Sequence, residues 1–222
     1  MKREFLKTGD GSITIHLPDW NEQYHSKHGA IAEANHVFIQ TGLHHFISTE
    51  RPNKVSILEI GFGTGLNAFL TYLFSEKKSL KIDYTGVEAY PVDTSEVTKL
   101  NYAENLSEEK DAFHKLHEIT WEEAHKISKN FIITKQKKFF DKIEDISLYN
   151  LIYFDAFGAR VQPELWTESI FAKMFKALKP NGVLVTYSAK GSVRRAMQEV
   201  GFDVERLPGP PGKREMLRAS KK

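Results

Sequence analysis

Two stretches of the chain carry residue types that do chemistry at the ends of strands. The first is Val55-Ser56-Ile57-Leu58-Glu59-Ile60-Gly61-Phe62-Gly63-Thr64-Gly65-Leu66-Asn67, an apolar run that ends in an acid and three alternate glycines before a helical pattern begins. Glycines let the backbone turn tightly and approach a ligand closely, and the following helix presents free N–H groups. Such a turn delivers the chain to a nucleotide or nucleoside cofactor. The second is Phe154-Asp155-Ala156-Phe157-Gly158, an acid and an aromatic just past an unbroken apolar run.

The glycine turn fits two cofactor classes. A dinucleotide site wants Gly-x-Gly-x-x-Gly/Ala, so that a pyrophosphate rests on the helix. Gly63 through Ala68 satisfies the Ala variant, but counting from Gly61 fails at Leu66. An S-adenosyl-L-methionine site commonly shows acid-x-Gly-x-Gly-x-Gly, read here as Glu59-Ile60-Gly61-Phe62-Gly63-Thr64-Gly65. That cofactor is cationic and lacks phosphate, so an acid beside the loop attracts it and would repel a pyrophosphate. Glu88, at the end of the next strand, is placed to accept both ribose hydroxyls in either class. Without a ligand, Glu59 and Glu88 read as ordinary strand-end acids.

Asp155 suits amine chemistry. Methyl transfer to nitrogen needs a neutral amine in line with the methyl group, and a carboxylate positions the amine and takes its proton. Phe157 is placed to stack on a base. The structural alternatives are a loop or capping acid for Asp155 and a core side chain for Phe157.

These residues need a frame, and the pattern supplies one. Residues 2–17 read as a hairpin around Gly9-Asp10-Gly11. An irregular segment from 18 onwards leads to a helix over 30–40, with Gly42 as its stop and 43–50 as a possible extension. From 53 the chain alternates strand and helix. Strands are expected at 55–60, 82–88, 131–134, 151–154, 183–187, 202–207 and 214–219, and helices at 65–75, 93–102, 107–129, 163–178 and 191–200. The helix over 65–75 shows Leu66, Phe69, Leu70, Leu73 and Phe74 on one face. The run Leu151-Ile152-Tyr153-Phe154 suits a strand buried on both faces of a parallel sheet. The expectation is an α/β fold: a doubly wound, mostly parallel sheet with a C-terminal antiparallel strand. It forms a single domain, with residues 1–52 as a hairpin-and-helix appendage to a core over 53–222. In such sheets ligands sit at the carboxyl ends of the strands, where both stretches fall.

Composition bounds the rest. At 222 residues the chain builds one substantial core, and its 41% hydrophobic and 27% charged residues are those of a globular protein. No apolar run reaches the roughly 18–20 residues of a membrane helix, so no membrane partner is expected. The absence of cysteine removes thiolate chemistry and fits the cytoplasm. His44-His45 and the His114/His117 pair lack further ligands, so no metal is expected.

Several further blocks carry a resemblance. They are Tyr24-His25-Ser26, Glu33 with His36-Val37-Phe38, Pro163-Glu164-Leu165-Trp166, Thr186-Tyr187-Ser188-Ala189-Lys190-Gly191, Val193-Arg194-Arg195, and Leu207 through Met216. With the glycine turn and Asp155-Ala156-Phe157, they resemble the methyltransferase domain of the MnmC-like tRNA-modification enzymes over nearly the whole chain. The resemblance implies a Rossmann-like class I fold. It also implies transfer of a methyl group from S-adenosyl-L-methionine to 5-aminomethyluridine at the tRNA wobble position, giving 5-methylaminomethyluridine. Asp155 matches the catalytic acid, Glu59, Gly61, Gly63 and Gly65 the cofactor loop with Phe62, Thr64 and Asn67 inside it, and Glu88 the ribose acid. Many relatives carry a fused oxidase. This chain is expected to act without one, so a separate enzyme would supply the aminomethyl precursor. One departure stands out: where such enzymes often place an acid for the adenine, this chain reads Thr134-Lys135-Gln136-Lys137-Lys138, leaving Gln136 or the backbone. Asp141 looks too distant.

Net charge is only +2, so clustering carries the nucleic-acid argument. Lys135, Lys137 and Lys138 form one basic cluster, and Lys190, Arg194, Arg195, Lys213 and Arg214 another. An anticodon stem-loop offers phosphates to such groups and unstacked bases to Tyr24 and Phe157. The alternatives are an NAD-dependent oxidoreductase and a non-catalytic adenosine-nucleoside binding module.

Overall fold

The structure is a computed structural model, and it describes residues 2–108 and 110–222. The chain opens with β1 (Glu4–Lys7) and β2 (Ile13–Leu17), an antiparallel hairpin, and β3 (Glu22–Gln23) adds a third strand to it. Helix α1 then runs as three joined pieces: an α-turn at Ala30–Ala34, a π-helix at Asn35–His44 and an α-turn at His45–Glu50. Gly42 does not stop it. A Cβ there would stand 2.9 Å from Val185 Cγ2 and 3.4 Å from a ring carbon of Tyr153, so glycine is what lets the helix lie against the sheet. The helix ends at Arg51, which takes the left-handed conformation.

Beyond it come β4 (Lys54–Ile60), α2 (Leu66–Lys78) and β5 (Lys81–Val87). The helix expected over 93–102 is two single turns, α3 (Thr94–Val97) and α4 (Tyr102–Asn105). Asn101 separates them because its side chain clamps the hairpin, accepting from Ile13 N at 2.7 Å and donating to Gly11 O at 3.0 Å. Of the long helix expected over 107–129, only α5 (Lys110–Glu118) forms; Glu109 lies outside the described residues. Glu122 takes a left-handed φ of 68° and bonds Lys135 O through its N–H. The chain thereby turns into an edge strand, β6 (Ala124–Lys126), antiparallel to β7 (Phe131–Gln136). β8 (Tyr149–Phe154) follows. Pro163–Trp166 is a 3-10 turn rather than the first turn of the next helix, α6 (Glu168–Ala177). The chain closes with β9 (Leu178–Thr186), α7 (Gly191–Glu199), β10 (Asp203–Pro208) and β11 (Glu215–Ser220).

The eight-stranded sheet has the order β10-β11-β9-β8-β4-β5-β7-β6. β9, β8, β4, β5 and β7 are parallel neighbours, while β11 inserts antiparallel between β9 and β10. The central strands bury both faces. Ile57, Leu151 and Tyr153 pack with α1, α2 and α5 on one side, whereas Leu58, Ile152 and Phe154 pack with α6 and α7 on the other. After β4 the chain builds outward through β5 to β7 and then returns to place β8 on the other side of β4. The switch point thus falls between β4 and β8, the crevice where α/β sheets bind ligands.

Candidate active site

β4 and β8 end side by side, and the Asp155 N–H donates to Ile60 O at 2.9 Å. The glycine turn and Asp155 therefore leave the sheet together. Gly61, Gly63 and Gly65 have φ of 91°, 50° and 72°. Space is as demanding as dihedral angle: a Cβ would stand 2.7 Å from Asp155 O at Gly61, 3.2 Å from Tyr24 Cδ1 at Gly63, and 2.7 Å from His117 Nε2 at Gly65. Glu88 locks the loop from the next strand. Its carboxylate accepts from Gly63 N at 3.0 Å and from Tyr90 N at 2.9 Å.

A cavity of ≈ 1490 Å³ opens over these strand ends. Of the residues singled out in the sequence, Gly61, Phe62, Gly63, Thr64, Asn67, Glu88, Asp155, Phe157, Tyr24 and Lys213 line it. Glu59, Gly65 and Gln136 do not: Glu59 is 0% exposed beneath the loop, and the Gln136 side-chain oxygen is buried. Lys190, Arg194, Arg195 and Arg214 lie away from the cavity wall, with Lys190, Arg195 and Arg214 exposed. Lys135 leaves the surface cluster assigned to it. Strand alternation turns it inward, where it donates to His117 O at 2.7 Å and sits 5.0 Å from the Trp121 ring. Burial lowers its pKa to about 8. Asp141, expected to be too distant, lines the cavity together with Lys137 and the exposed Phe139, which packs edge-on against Tyr90.

Asp155 sits at the cavity floor. Asn67 Nδ2 donates to its Oδ2 at 2.9 Å, binding the start of α2 to the end of β8. Burial, reinforced by the charge of Glu33, pushes the Asp155 carboxyl up to about 7, against the opposing effects of Asn67 and Lys213. Lys213, from the Pro/Gly turn between β10 and β11, pairs with Glu33 of α1 at 2.6 Å and lies 3.9 Å over the Tyr187 ring. Tyr187, just past the end of β9, donates to Ala156 O at 2.9 Å and so braces the Asp155 loop. Phe157 is held edge-on between Trp20 and Tyr24 at 5.7 and 5.0 Å. The N-terminal segment thus forms one wall. His25 stays neutral because burial lowers its pKa to about 4, and it contacts the hydroxyls of Thr14 at 3.1 Å and Thr64 at 3.4 Å. The Glu33–Lys213 pairing and the Trp20 wall are invisible in sequence because their partners are far apart along the chain; Glu33 and the Lys-Arg-Glu block around 213 stand out only as separate blocks.

Chemically, the site offers a glycine cradle, a carboxylate for a diol, and a second carboxylate of near-neutral pKa facing a roomy cavity. The turn offers a pyrophosphate little. The N–H groups of Gly61 and Phe62 bond Val87 O, that of Gly63 bonds Glu88, and that of Gly65 bonds Phe62 O.

Comparison with known proteins agrees. The sequence profile of a family described as S-adenosyl-L-methionine-dependent methyltransferase matches residues 98–222. The chain is 30% identical over 213 residues to the tRNA 5-methylaminomethyl-2-thiouridine biosynthesis bifunctional protein MnmC of Hydrogenovibrio crunogenus, covering 89% of this chain and 31% of that protein. It is 26% identical to the protein of the same name from Ralstonia nicotianae, covering 90% and 32%. The chain thus spans about a third of the length of these curated relatives. Among solved structures, MNMC2 from Aquifex aeolicus superposes with a TM-score of 0.79 at 24% identity, covering all of this chain and 70% of that one. The matched profile displaces the NAD reading, and the chain belongs to the S-adenosyl-L-methionine-dependent methyltransferase family.

Proposed function

We propose that this protein methylates the exocyclic amine of 5-aminomethyluridine at the wobble position of tRNA, giving 5-methylaminomethyluridine. The observation that carries the reading is the placement of Asp155: a carboxyl of near-neutral pKa, one strand from the glycine cradle and open to the same cavity.

The residues present fit the donor. The Gly61–Gly63 cradle is a space that side chains would fill, and Glu88 is pinned at its edge by two backbone N–H groups. Gly61, Gly63 and Glu88 would hold the aminoacyl and ribose parts of S-adenosyl-L-methionine. Tyr90, Phe139 and Asp141 would surround the adenine, with Asp141 rather than Gln136 as the acid near its amino group. When bound, the donor supplies a methyl group made electrophilic by its sulfonium.

The remaining work belongs to the chain. An alkylammonium holds its proton up to about pH 10.4, whereas the transfer needs a free lone pair. Asp155, ionised above about 7, would orient the ammonium by a charge-assisted hydrogen bond and accept its proton. Burial makes it a stronger base than a surface carboxylate, and Asn67 fixes its Oδ2. Phe157, backed by Trp20 and Tyr24, would stack on the flipped pyrimidine. The exposed Lys190, Arg195 and Arg214 would meet the phosphates of the anticodon stem-loop. The relatives' name refers to a 2-thiouridine product and a bifunctional protein; an activity other than this methyl transfer would make the aminomethyl precursor.

The test in cells is nucleoside mass spectrometry of tRNA from a strain lacking this modification step. Supplying this chain should convert 5-aminomethyluridine to 5-methylaminomethyluridine, and supplying Asp155→Ala should not. Unchanged nucleosides with the wild-type chain would overturn the proposal.

A further inference from the structure

Beneath the glycine turn lies a cluster of buried polar atoms that the proposed reaction does not use. Glu59 is fully buried, and among the described residues neither of its carboxyl oxygens has a hydrogen-bond partner in good geometry. The same is true of two neighbours, Asn67 Oδ1 and Tyr84 OH. The groups that face Glu59 come from every adjoining element. Tyr84 stands on β5, Asn67 on α2, and the charges of Asp155 beyond β8 and Glu88 beyond β5 act on it from the strand ends. Tyr153 of β8 adjoins Tyr84 at 6.2 Å between ring centroids. All the charges in that set are negative.

Burial and the surrounding negative charges decide the state of the group. With Glu59 ionised, the cluster holds three acceptor oxygens, served by the Tyr84 hydroxyl and the one Asn67 Nδ2 hydrogen that Asp155 does not take, beside two further carboxylates. A buried charge without a counter-ion or hydrogen bonds is among the costliest states in a protein, and the group takes up a proton instead. A proton on Glu59 supplies a third donor for the three oxygens and removes the repulsion. The pKa of Glu59 lies well above the ordinary 4.5, chiefly because of burial.

We propose that Glu59 is a neutral, proton-bearing strut that holds the Asn67 side chain against Asp155, and that it is a positioning residue rather than a charged contact of the methyl donor. The proposal rests on the reading of Asp155 as the amine-facing base. Its chemistry is simple. In the proposed state Tyr84 and protonated Glu59 hold the amide of Asn67, whose Nδ2 meets Asp155 Oδ2 at 2.9 Å. One mobile negative charge, that of Asp155, is left next to the amine in place of two. The acid that opens the glycine motif therefore acts on the acceptor half of the site, through Asn67 and then Asp155.

Three measurements test this. In the unliganded protein with ¹³C-labelled glutamate side chains, the Glu59 carboxyl resonance is the one missing from Glu59→Gln. It should stay at its protonated position well above pH 4.5, and titration near the ordinary 4.5 would overturn the proposal. In calorimetry, Glu59→Gln should bind S-adenosyl-L-methionine as wild type does. Loss of binding on replacing the acid by its neutral isostere would show a charged donor contact instead. In turnover, Glu59→Ala should lower kcat by about tenfold or more, since sub-ångström misplacement of a reacting group has that effect. Glu59→Gln should recover most of the loss. Wild-type kcat in Glu59→Ala would overturn the strut; if that variant does not fold, the resonance and Glu59→Gln still decide. Asp155→Asn separates the two readings. Full turnover in that variant removes Asp155 as base, and leaves the protonation and donor-binding results for Glu59 standing on their own.

Discussion

Asp155 is a carboxyl made reluctant to ionise and then placed where an amine must lose a proton. Its pKa of about 7 gives the sign of the pH dependence. Below that value the group is protonated and cannot accept, so kcat should rise with pH through about 7 and level off above it. Asp155→Ala should lose turnover by a factor on the order of 10² or more, with donor binding unchanged by calorimetry. A pH-independent kcat between 5.5 and 8.5 would remove the group from the rate-limiting step. At this scale the sequence was informative where chemistry is local. An acid at the end of an unbroken apolar strand and another at the end of the next strand are visible in order of residues. The roles of Asn67 and Glu59 are not. Asn67 reads as a cofactor-loop residue until its partner, 88 positions away, is seen beside it.

Elements position these groups through backbone fit. A methyl group added at Gly61 meets Asp155 O at 2.7 Å from a φ of 91°, so Gly61→Ala attacks both halves of the site. It should cost at least about 1–2 kcal/mol from the left-handed conformation alone and weaken donor binding. Thermal denaturation and calorimetry check the two effects. Helix α1 and the turn after β10 are linked by Glu33–Lys213, with the Lys213 side chain about one-third exposed (32%) and that of Glu33 9% exposed. Lys213→Ala leaves Glu33 unpaired. The expected cost is about 1–3 kcal/mol, below that of a fully buried pair because water reaches Lys213. It also removes a cation that holds Asp155 down, so the kcat profile should shift to higher pH; a shift to lower pH would contradict the arrangement. Element type was legible for the central strands, where four consecutive apolar residues leave little choice. It was not legible for Gly42, whose role is close approach to Val185 and Tyr153 rather than termination. Nor was it for 107–129, where tertiary bonds from Glu122 override a helical pattern.

Across the molecule, the buried titratable groups pull stability in opposite directions. The folded chain keeps protons on Asp155 and Glu59 that the unfolded chain releases near 3.8 and 4.5. Their contribution is therefore greatest below those values and is lost as pH rises, through about 7 for Asp155 and well above 4.5 for Glu59. His25 and His117 are buried neutral, with pKa lowered from 6.5 to about 4 and about 3. Their contribution is present above 6.5 and is lost as pH falls through those windows. Glu59→Gln should thus gain on wild type by a margin that widens above pH 4.5, read from melting temperatures; a constant margin would mean that Glu59 ionises in the fold. The exposed Lys190 and Arg195 should each contribute about one unit to the salt slope of tRNA binding, measured by titration of their alanine variants. The doubly wound order and the convergence of both motifs on one crevice were legible because strand-end position follows from alternation. The antiparallel β6 edge and the aromatic wall from residues before α1 arise only from long-range packing.

The central claim is the acceptor. Purified protein should be incubated with methyl-labelled S-adenosyl-L-methionine and tRNA whose wobble position carries 5-aminomethyluridine, and the digest read by mass spectrometry. The expected result is label in 5-methylaminomethyluridine alone, abolished in Asp155→Ala. Label in another nucleoside, or none in this tRNA from a protein that binds the donor, would contradict it.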